Sequence, residues 1–193
     1  MDLDLKGKSV IVTGGGSNIG RAIVLGFAAE GAHITIGDID DKQAQKTAEF
    51  GTKIALDLMI PRNAGSIVSI SSDASRQGEP REAVYGGVKA AINSFMKTIA
   101  KENGRYGIRC NVVCPGVTIP STTDEVGGSS MWVDAGSMFT PEQLEKVAKA
   151  LPLRKVGRPQ DIANAVVFLS SAKVAGHVTG QVLSVSGGYS MIG

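Results

Sequence analysis

The stretch Lys8-Ser-Val-Ile-Val-Thr-Gly-Gly-Gly-Ser-Asn-Ile-Gly20 decides the fold of this chain. Its first six residues form a short β-branched run of the kind found in buried parallel strands. After the glycines, residues 21–30 have a helical pattern that ends at Gly31. A second strand-like run, His33-Ile-Thr-Ile-Gly-Asp38, comes next. This order predicts a β-α-β unit with a glycine-rich first turn.

A turn of this composition is suited to a dinucleotide. Glycines let the backbone approach a pyrophosphate, and the N-terminus of the following helix supplies N–H groups and positive dipole. Asp38 lies 18 residues after Gly20. A carboxylate at that distance accepts from the ribose hydroxyls of an adenosine and repels a 2′-phosphate. The sequence therefore predicts NAD rather than NADP as the cofactor.

A second stretch, residues 71–89, has the pattern of an active site. Tyr85 and Lys89 are four residues apart, so on a helix they share one face. An ammonium close to a phenol favours the phenolate and lowers a pKa that is otherwise about 10, which lets the phenol exchange a proton with an alcohol. Ser72 ends the preceding strand-like run and is placed to bond the same oxygen. The Tyr–Lys spacing also arises by chance, so the rest of the chain must support it.

The composition narrows the class of protein. The chain has 193 residues, of which 42% are apolar and 20% charged, and these values fit a single folded domain over residues 1–193. The net charge of +2 is scattered, which predicts no nucleic-acid partner. No signal peptide or membrane span is visible, which predicts a cytoplasmic protein with no membrane partner. Cys110 and Cys114 are expected to be buried thiols, and His33 and His177 are too isolated to predict a metal site.

Helix-like and strand-like segments alternate along the rest of the chain. Residues 40–59 have a helical composition interrupted at Gly51, and further helices are expected at 141–150 and 159–171. Strands are expected at 66–72, 108–113 and 181–185. A long helix at about 83–103 has a predicted buried stripe at Val88, Ile92, Phe95 and Ile99.

Two loops leave alternatives open. Residues 117–139 are loop-like but contain apolar residues such as Trp132, which suits either a substrate lid or a contact with another subunit. Arg76 and Arg81 follow the serine strand. They either recruit an acidic group of the substrate or are solvated loop charges.

Together these residues resemble the short-chain dehydrogenase/reductase family over residues 6–50 and 52–193. The motifs that carry the resemblance are the turn from Thr13 to Gly20, Ser72 thirteen residues before Tyr85 with Lys89 beyond, Asn111-Val-Val-Cys-Pro-Gly116, Gly157-Arg-Pro-Gln-Asp161-Ile-Ala, and Thr179-Gly-Gln-Val-Leu-Ser-Val-Ser-Gly-Gly188. The resemblance implies an α/β fold with a Rossmann-like, doubly wound parallel sheet, shortened to about five strands. It also implies a homodimer or homotetramer that forms through the 83–103 helix.

The resemblance further implies a mechanism. Tyr85 acts as general base in alcohol oxidation and general acid in ketone reduction, Lys89 lowers its pKa and holds the nicotinamide ribose, and Ser72 orients the substrate oxygen. The substrate is a small secondary alcohol or ketone, and the apolar loop suggests a cyclic or aromatic one. The implied cofactor-binding residues are Gly14, Ser17, Asn18, Ile19, Gly20, Asp38, Tyr85, Lys89, Pro115, Gly116, Val117 and Thr118.

One part of the family pattern has no counterpart here. Between about Phe50 and Thr52 the chain lacks roughly 50 residues, which in the family carry two strands, an Asn-Asn-Ala-Gly motif and a catalytic Asn. Asn63-Ala-Gly65 reads instead as a helix-to-strand turn. The strand at 66–72 then either pairs directly with the strand at 8–13 or leaves a gap in the core. We therefore expect impaired activity, and the alternative function is a non-catalytic NAD-binding or oligomerisation module.

Overall fold

The computed structural model describes residues 2–37, 44–120 and 140–192, and in these ranges helices alternate with five parallel strands. The strands are β1 (Ser9–Thr13), β2 (His33–Gly37), β3 (Gly65–Ile70), β4 (Ile108–Pro115) and β5 (Val182–Val185). The α-helices are α1 (Asn18–Ala29), α2 (Ala44–Met59), α3 (Ala74–Gln77), α4 (Ala83–Asn103), α5 (Pro141–Ala150), α6 (Pro159–Ser170) and α7 (Ala172–Ala175). The α/β class with about five parallel strands is confirmed.

The five strands form two sheets. β1 pairs with β2, with Ser9 opposite His33, while β3, β4 and β5 form a second sheet in that order, with Gly65 opposite Ile108. All three pairings are parallel. The direct pairing of β1 with β3 that the sequence left open is therefore not found among the described residues, and the second alternative, an interruption between the two strands, describes the structure.

A shared helical layer joins the two sheets. α1 packs against α6, so closely that a Cβ added at Gly26 would lie 3.2 Å from Val167 Cγ2. Val12 of β1 and Val113 of β4 belong to the same buried cluster as residues of both helices. A second cluster, built on Met96 and the other face of β4, lies under α4. The central strand β4 therefore carries helices on both faces, as a buried parallel strand requires.

Two local predictions are corrected by the structure. α2 runs through Gly51 without a break, since one glycine inside a helix costs only about 1 kcal/mol. In α4 the buried face passes through Met96 and Ala100, while Val88 is 46% and Phe95 39% exposed. The apolar arc of this helix is wider than the surface that β4 covers, so part of the predicted stripe faces outward.

The ends of the elements follow the sequence signals. Gly31 after α1 has φ +75° and Gly107 after the 3₁₀ turn at the end of α4 has φ +66°, a region that favours glycine. Asn63 is left-handed at φ 47° and leads into β3, as expected of a helix-to-strand turn.

Within the described residues, no helix combines the length and apolar composition needed to span a membrane.

Both cysteines are buried and unpaired, as predicted. Burial raises the pKa of Cys110 to about 11 and also raises the pKa of Cys114.

Nearby, the buried Arg109 donates from Nη1 to the Leu169 carbonyl at 2.7 Å and from Nη2 to the Ser170 carbonyl at 3.1 Å. Arg109 therefore caps the C-terminus of α6, where a cation is favourable.

Candidate active site

The residues that follow β3 remain beside the end of β4. The Ser71 N–H donates to the Val113 carbonyl at 2.8 Å, and the Asp73 N–H donates to the Pro115 carbonyl at 3.0 Å. Ser72, between them, is half-buried and its Oγ accepts the Ala74 N–H at 3.2 Å. The predicted catalytic serine therefore lies at the carboxyl end of β3, where parallel α/β sheets place their ligands.

Ser71 ties this strand end to α4. Its Oγ donates to the Lys89 carbonyl at 2.9 Å, and Asn93 Nδ2 donates to Ser75 Oγ at 2.8 Å. A Cβ added at Gly86 would lie 3.0 Å from the Ala74 carbonyl oxygen, so the two segments are in close contact. These bonds bring the backbone of Lys89 next to the serine segment. Ser71 was not a candidate in the sequence, although it directly precedes Ser72.

Tyr85 and Lys89 lie together on α4. Lys89 Nζ is 5.8 Å from the centroid of the Tyr85 ring, and almost half of the Tyr85 side chain is exposed. Burial lowers the pKa of Lys89. The Lys89 ammonium also donates to the Ile70 carbonyl at 3.2 Å. The sequence did not indicate this contact, which directs the ammonium toward the end of β3.

Asp73 and Arg76 form a buried ion pair beside Ser72 that the sequence did not predict. Asp73 Oδ1 is 3.5 Å from Arg76 Nη1, and the two side chains are 1% and 13% exposed. Asp73 Oδ2 accepts from Ser184 Oγ at 2.7 Å, and Arg76 Nη2 donates to the Ile192 carbonyl. The solvated-charge alternative for Arg76 is therefore wrong, because Asp73 and the Ile192 carbonyl hold its guanidinium, while substrate recruitment stays a prediction. Arg81 is exposed.

The glycine turn has the geometry expected at the end of β1. Gly14 has φ +66° with open space where a Cβ would stand, while a Cβ at Gly20 would lie 1.8 Å from the Gly14 carbonyl oxygen. Asn18 adopts φ 45°, which asparagine tolerates better than most residues. Its Oδ1 is buried and lacks a hydrogen-bond donor among the described residues. Beside it, a cleft of about 170 Å³ is lined by Arg21 and Arg158.

Ser17 and Ile19 lie in the same turn and are half-buried. Asp38, the predicted partner of the adenosine ribose, lies outside the described residues, as does most of the predicted lid, residues 121–139. The adenosine side of the candidate cofactor site therefore stays a prediction.

The segment Pro115–Thr118 is held by backbone contacts at the end of β4. The Gly116 N–H donates to the Val185 carbonyl at 3.2 Å, and the Val117 carbonyl accepts the Gly157 N–H at 2.9 Å. The Thr118 side chain is buried, and its Oγ1 donates to the Gly116 carbonyl at 3.2 Å. The Val117 carbonyl is thus engaged by the protein itself.

Comparison with known proteins gives consistent matches. The family model described as "Enoyl-(Acyl carrier protein) reductase" matches residues 48–190. A 7α-hydroxysteroid dehydrogenase of Paraclostridium sordellii is 34% identical over 72% of this chain and 48% of its own length. The chain spans 61% and 55% of the length of two further curated relatives.

Two other matches extend over nearly the whole chain. An uncharacterised oxidoreductase of Thermotoga maritima is 26% identical over 255 positions, which cover 96% of this chain and 98% of the relative. Because the alignment is longer than the 193-residue chain, the relative has internal residues without a counterpart here. The solved structure of a 7α-hydroxysteroid dehydrogenase with NADH and 7-oxo glycochenodeoxycholic acid superposes with a TM-score of 0.78 at 24% identity, covering 97% of this chain and 96% of that chain.

Proposed function

Because the chain belongs to the short-chain dehydrogenase/reductase family, we propose that it binds NAD(H) and moves a hydride between this cofactor and a secondary alcohol or ketone. The observation that carries the proposal is the pairing of Tyr85 with Lys89 on α4, beside the serine segment at the end of β3. The sequence similarity to a hydroxysteroid dehydrogenase supports this substrate class. In its finer form, the proposal is that the substrate is cyclic or aromatic.

The glycine turn fits the proposed cofactor. Gly14 leaves open space where a side chain would stand, so a pyrophosphate can approach the backbone. The buried Oδ1 of Asn18 suits a ligand that brings its own donor, such as a ribose hydroxyl. Arg21 and Arg158 line the cleft beside it and favour an anionic ligand. Asp38 would select NAD over NADP.

The chain's own residues would handle the proton. When bound, NAD(H) accepts or delivers the hydride. Tyr85 removes the hydroxyl proton of the alcohol during oxidation and returns a proton to the ketone oxygen during reduction. Lys89, whose ammonium lies 5.8 Å from the centroid of the Tyr85 ring, would hold the nicotinamide ribose. Ser72 would hold the substrate oxygen, and the backbone of Pro115, Gly116, Val117 and Thr118 would border the nicotinamide.

A turnover assay tests this proposal. Purified protein is given NADH and a panel of ketones, and NADH oxidation is compared with that of a Tyr85→Phe variant. Loss of the proton donor should lower the rate about 10²- to 10⁴-fold. The matched control is Tyr106→Phe, which removes a hydroxyl near the opposite end of β4 and should keep the wild-type rate. Equal rates for wild type and Tyr85→Phe would refute the proposed chemistry.

A second candidate function is a non-catalytic NAD-binding or oligomerisation module. It is favoured by the lack of pairing between β1 and β3 among the described residues and by the Lys89 ammonium, which donates to the Ile70 carbonyl of the protein itself. A displacement of the two halves by even 1 Å costs about a hundredfold in rate. This candidate predicts that NADH raises the melting temperature without turnover, and no shift at high NADH would exclude cofactor binding.

We also propose that two or four copies assemble through α4. Val84, Val88 and Phe95 are exposed on this helix, although large apolar side chains are rarely clustered on a monomer surface. Light scattering should give a dimer or tetramer mass, and Val88→Lys should lower it toward one chain. A monomer mass for the wild type would contradict this assembly.

A further inference from the structure

The outer edge of β1 offers backbone groups to a further strand. The His33 N–H donates to the Lys8 carbonyl at 2.8 Å, which fixes the residues of β1 that face β2. Because successive residues of a strand point their N–H and C=O groups to opposite sides, those of Ser9, Ile11 and Thr13 face away from β2. No described strand pairs with them. β1 is therefore open along this side.

β3 has an equivalent open edge. The Ser71 N–H donates to the Val113 carbonyl of β4, so by the same alternation Ser66, Val68 and Ile70 turn their backbone groups away from β4. The Ile70 carbonyl on this side accepts from the Lys89 ammonium. A side chain thus occupies a position that a strand N–H would fill in a continuous sheet.

The two open edges are held toward each other. β1 is open only on the side away from β2, and β3 only on the side away from β4, within the described part of the chain. Val68 and Ile70 pack against the same buried cluster that contains Val12. Through this cluster the α1–α6 layer carries both strands. On the opposite face the Ile11 side chain is 57% exposed, which is unusual in a parallel sheet.

The chemistry of two facing strand edges indicates what such a space accommodates. An extended polypeptide is the one ligand that supplies N–H and C=O groups on both of its sides, as two facing strand edges require.

We propose that the space between β1 and β3, which we call the strand slot, binds one extended polypeptide segment in trans, parallel to both strands. The side chains of this segment would alternate between the apolar α1–α6 layer and the face of Ile11, so a β-branched apolar sequence is required. Proline is excluded because it cannot donate to either edge.

Binding in the strand slot also changes the position of Lys89. A backbone N–H of the segment would take the Ile70 carbonyl, which the Lys89 ammonium now uses. The released ammonium would then be available beside Tyr85. This consequence rests on the proposed function, whereas the binding itself does not.

The experiment adds a short synthetic peptide of β-branched apolar residues that contains no proline. Titration calorimetry should give one segment per chain. Hydrogen–deuterium exchange should slow at residues 9–13 and 65–70, where amides gain partners, and remain unchanged in the central strand β4. Neither calorimetry nor hydrogen exchange needs turnover. A failure of the strand slot can therefore be distinguished from a failure of the proposed function. Absence of binding, or protection confined to other residues, would overturn the strand slot.

The variant Val68→Pro tests the strand slot by changing the protein instead of the peptide. It removes an N–H that faces the strand slot and leaves the bonds to β4 in place, since proline is tolerated at such an edge position. Loss of this donor should weaken binding about tenfold. The control is Val182→Pro, which removes an outward-facing N–H from the other edge of the same sheet.

The melting temperature of both variants without the segment checks that they fold. Weakened binding by Val68→Pro alone supports the strand slot. Wild-type affinity in both variants would refute it, and exchange in the wild-type protein decides the question if a variant does not fold.

Discussion

Asp73→Asn should destabilise the protein strongly. The substitution keeps the shape of the side chain and an oxygen that can still accept from Ser184 Oγ. It removes the negative charge that faces Arg76 at 3.5 Å. The guanidinium then stays in a mostly buried position without its counterion, which is the costly way to break an ion pair.

The expected size follows from the geometry of the pair. Breaking a buried pair from one side costs about 3–5 kcal/mol. Arg76 retains 13% exposure and a bond to the Ile192 carbonyl, which places the effect at the lower end, about 3 kcal/mol. For a chain of this length that corresponds to a fall in melting temperature of about 6–12 °C.

Urea unfolding followed by far-UV circular dichroism measures this change. Asp57→Asn is the control, since it breaks an exposed pair with Lys53 at 2.8 Å and should cost at most about 0.5 kcal/mol. The double variant Asp73→Asn/Arg76→Met should recover part of the loss, because no charge is left buried. If Asp73→Asn is no more destabilising than Asp57→Asn, the reasoning about the buried pair is wrong.

Three further predictions concern other parts of the fold. Gly20→Ala should abolish the NADH-induced rise in melting temperature, since its Cβ would lie 1.8 Å from a carbonyl oxygen of the turn, whereas Gly26→Ala should retain it. Tyr189→Phe should be destabilising between about pH 5 and 10, because it removes the hydroxyl that donates to Glu79. This bond lowers the pKa of the Glu79 carboxyl. Burial and the same bond raise the pKa of Tyr189 to about 12. Cys110 should resist thiol reagents at pH 8 until urea unfolds the protein, because burial raises its pKa to about 11.

The signs of the pH prediction are fixed by the two pKa shifts. A lowered carboxyl pKa contributes stability above the ordinary value of 4.5, which is lost as Glu79 takes up a proton at lower pH. A raised phenol pKa contributes stability below about pH 10, which is lost as the pH rises toward 12. Melting curves across this range would contradict the assignment if wild type and Tyr189→Phe differed equally at pH 3 and pH 7. Rapid labelling of Cys110 in the folded protein would contradict the prediction for this thiol. A wild-type NADH response in Gly20→Ala would contradict the prediction for the glycine turn.

Much of this fold is predictable because its signals are local. The β-branched run of β1, the glycines after it and the glycine that ends α1 act within a few residues of one another. Tyr85 and Lys89 share a helix face by spacing alone. These features are confirmed in the structure as elements and contacts, while the chemical roles of the two residues stay a prediction.

What the sequence could not supply depends on distant partners. Arg76 is mostly buried because Asp73 and Ile192 bind it and Ser184 holds Asp73, and Ser184 and Ile192 lie more than a hundred positions away. The buried face of α4 depends on how much of the helix β4 covers, which periodicity does not specify. The separation of β1 from β3 likewise depends on packing of the α1–α6 layer, since either arrangement satisfied the pattern of the chain.

The C-terminal contacts of the loop after Ser72 have a consequence during synthesis. Asp73, Glu79 and Arg76 receive partners from Ser184, Tyr189 and Ile192, roughly 110 residues later in the chain. At about 5–20 residues per second, a ribosome needs about 5–20 s to add them. For that interval Asp73 and Arg76, beside the candidate catalytic serine, can contact each other but lack the contacts from Ser184 and Ile192. The loop after Ser72 is therefore among the last parts of the nascent chain to take its final shape.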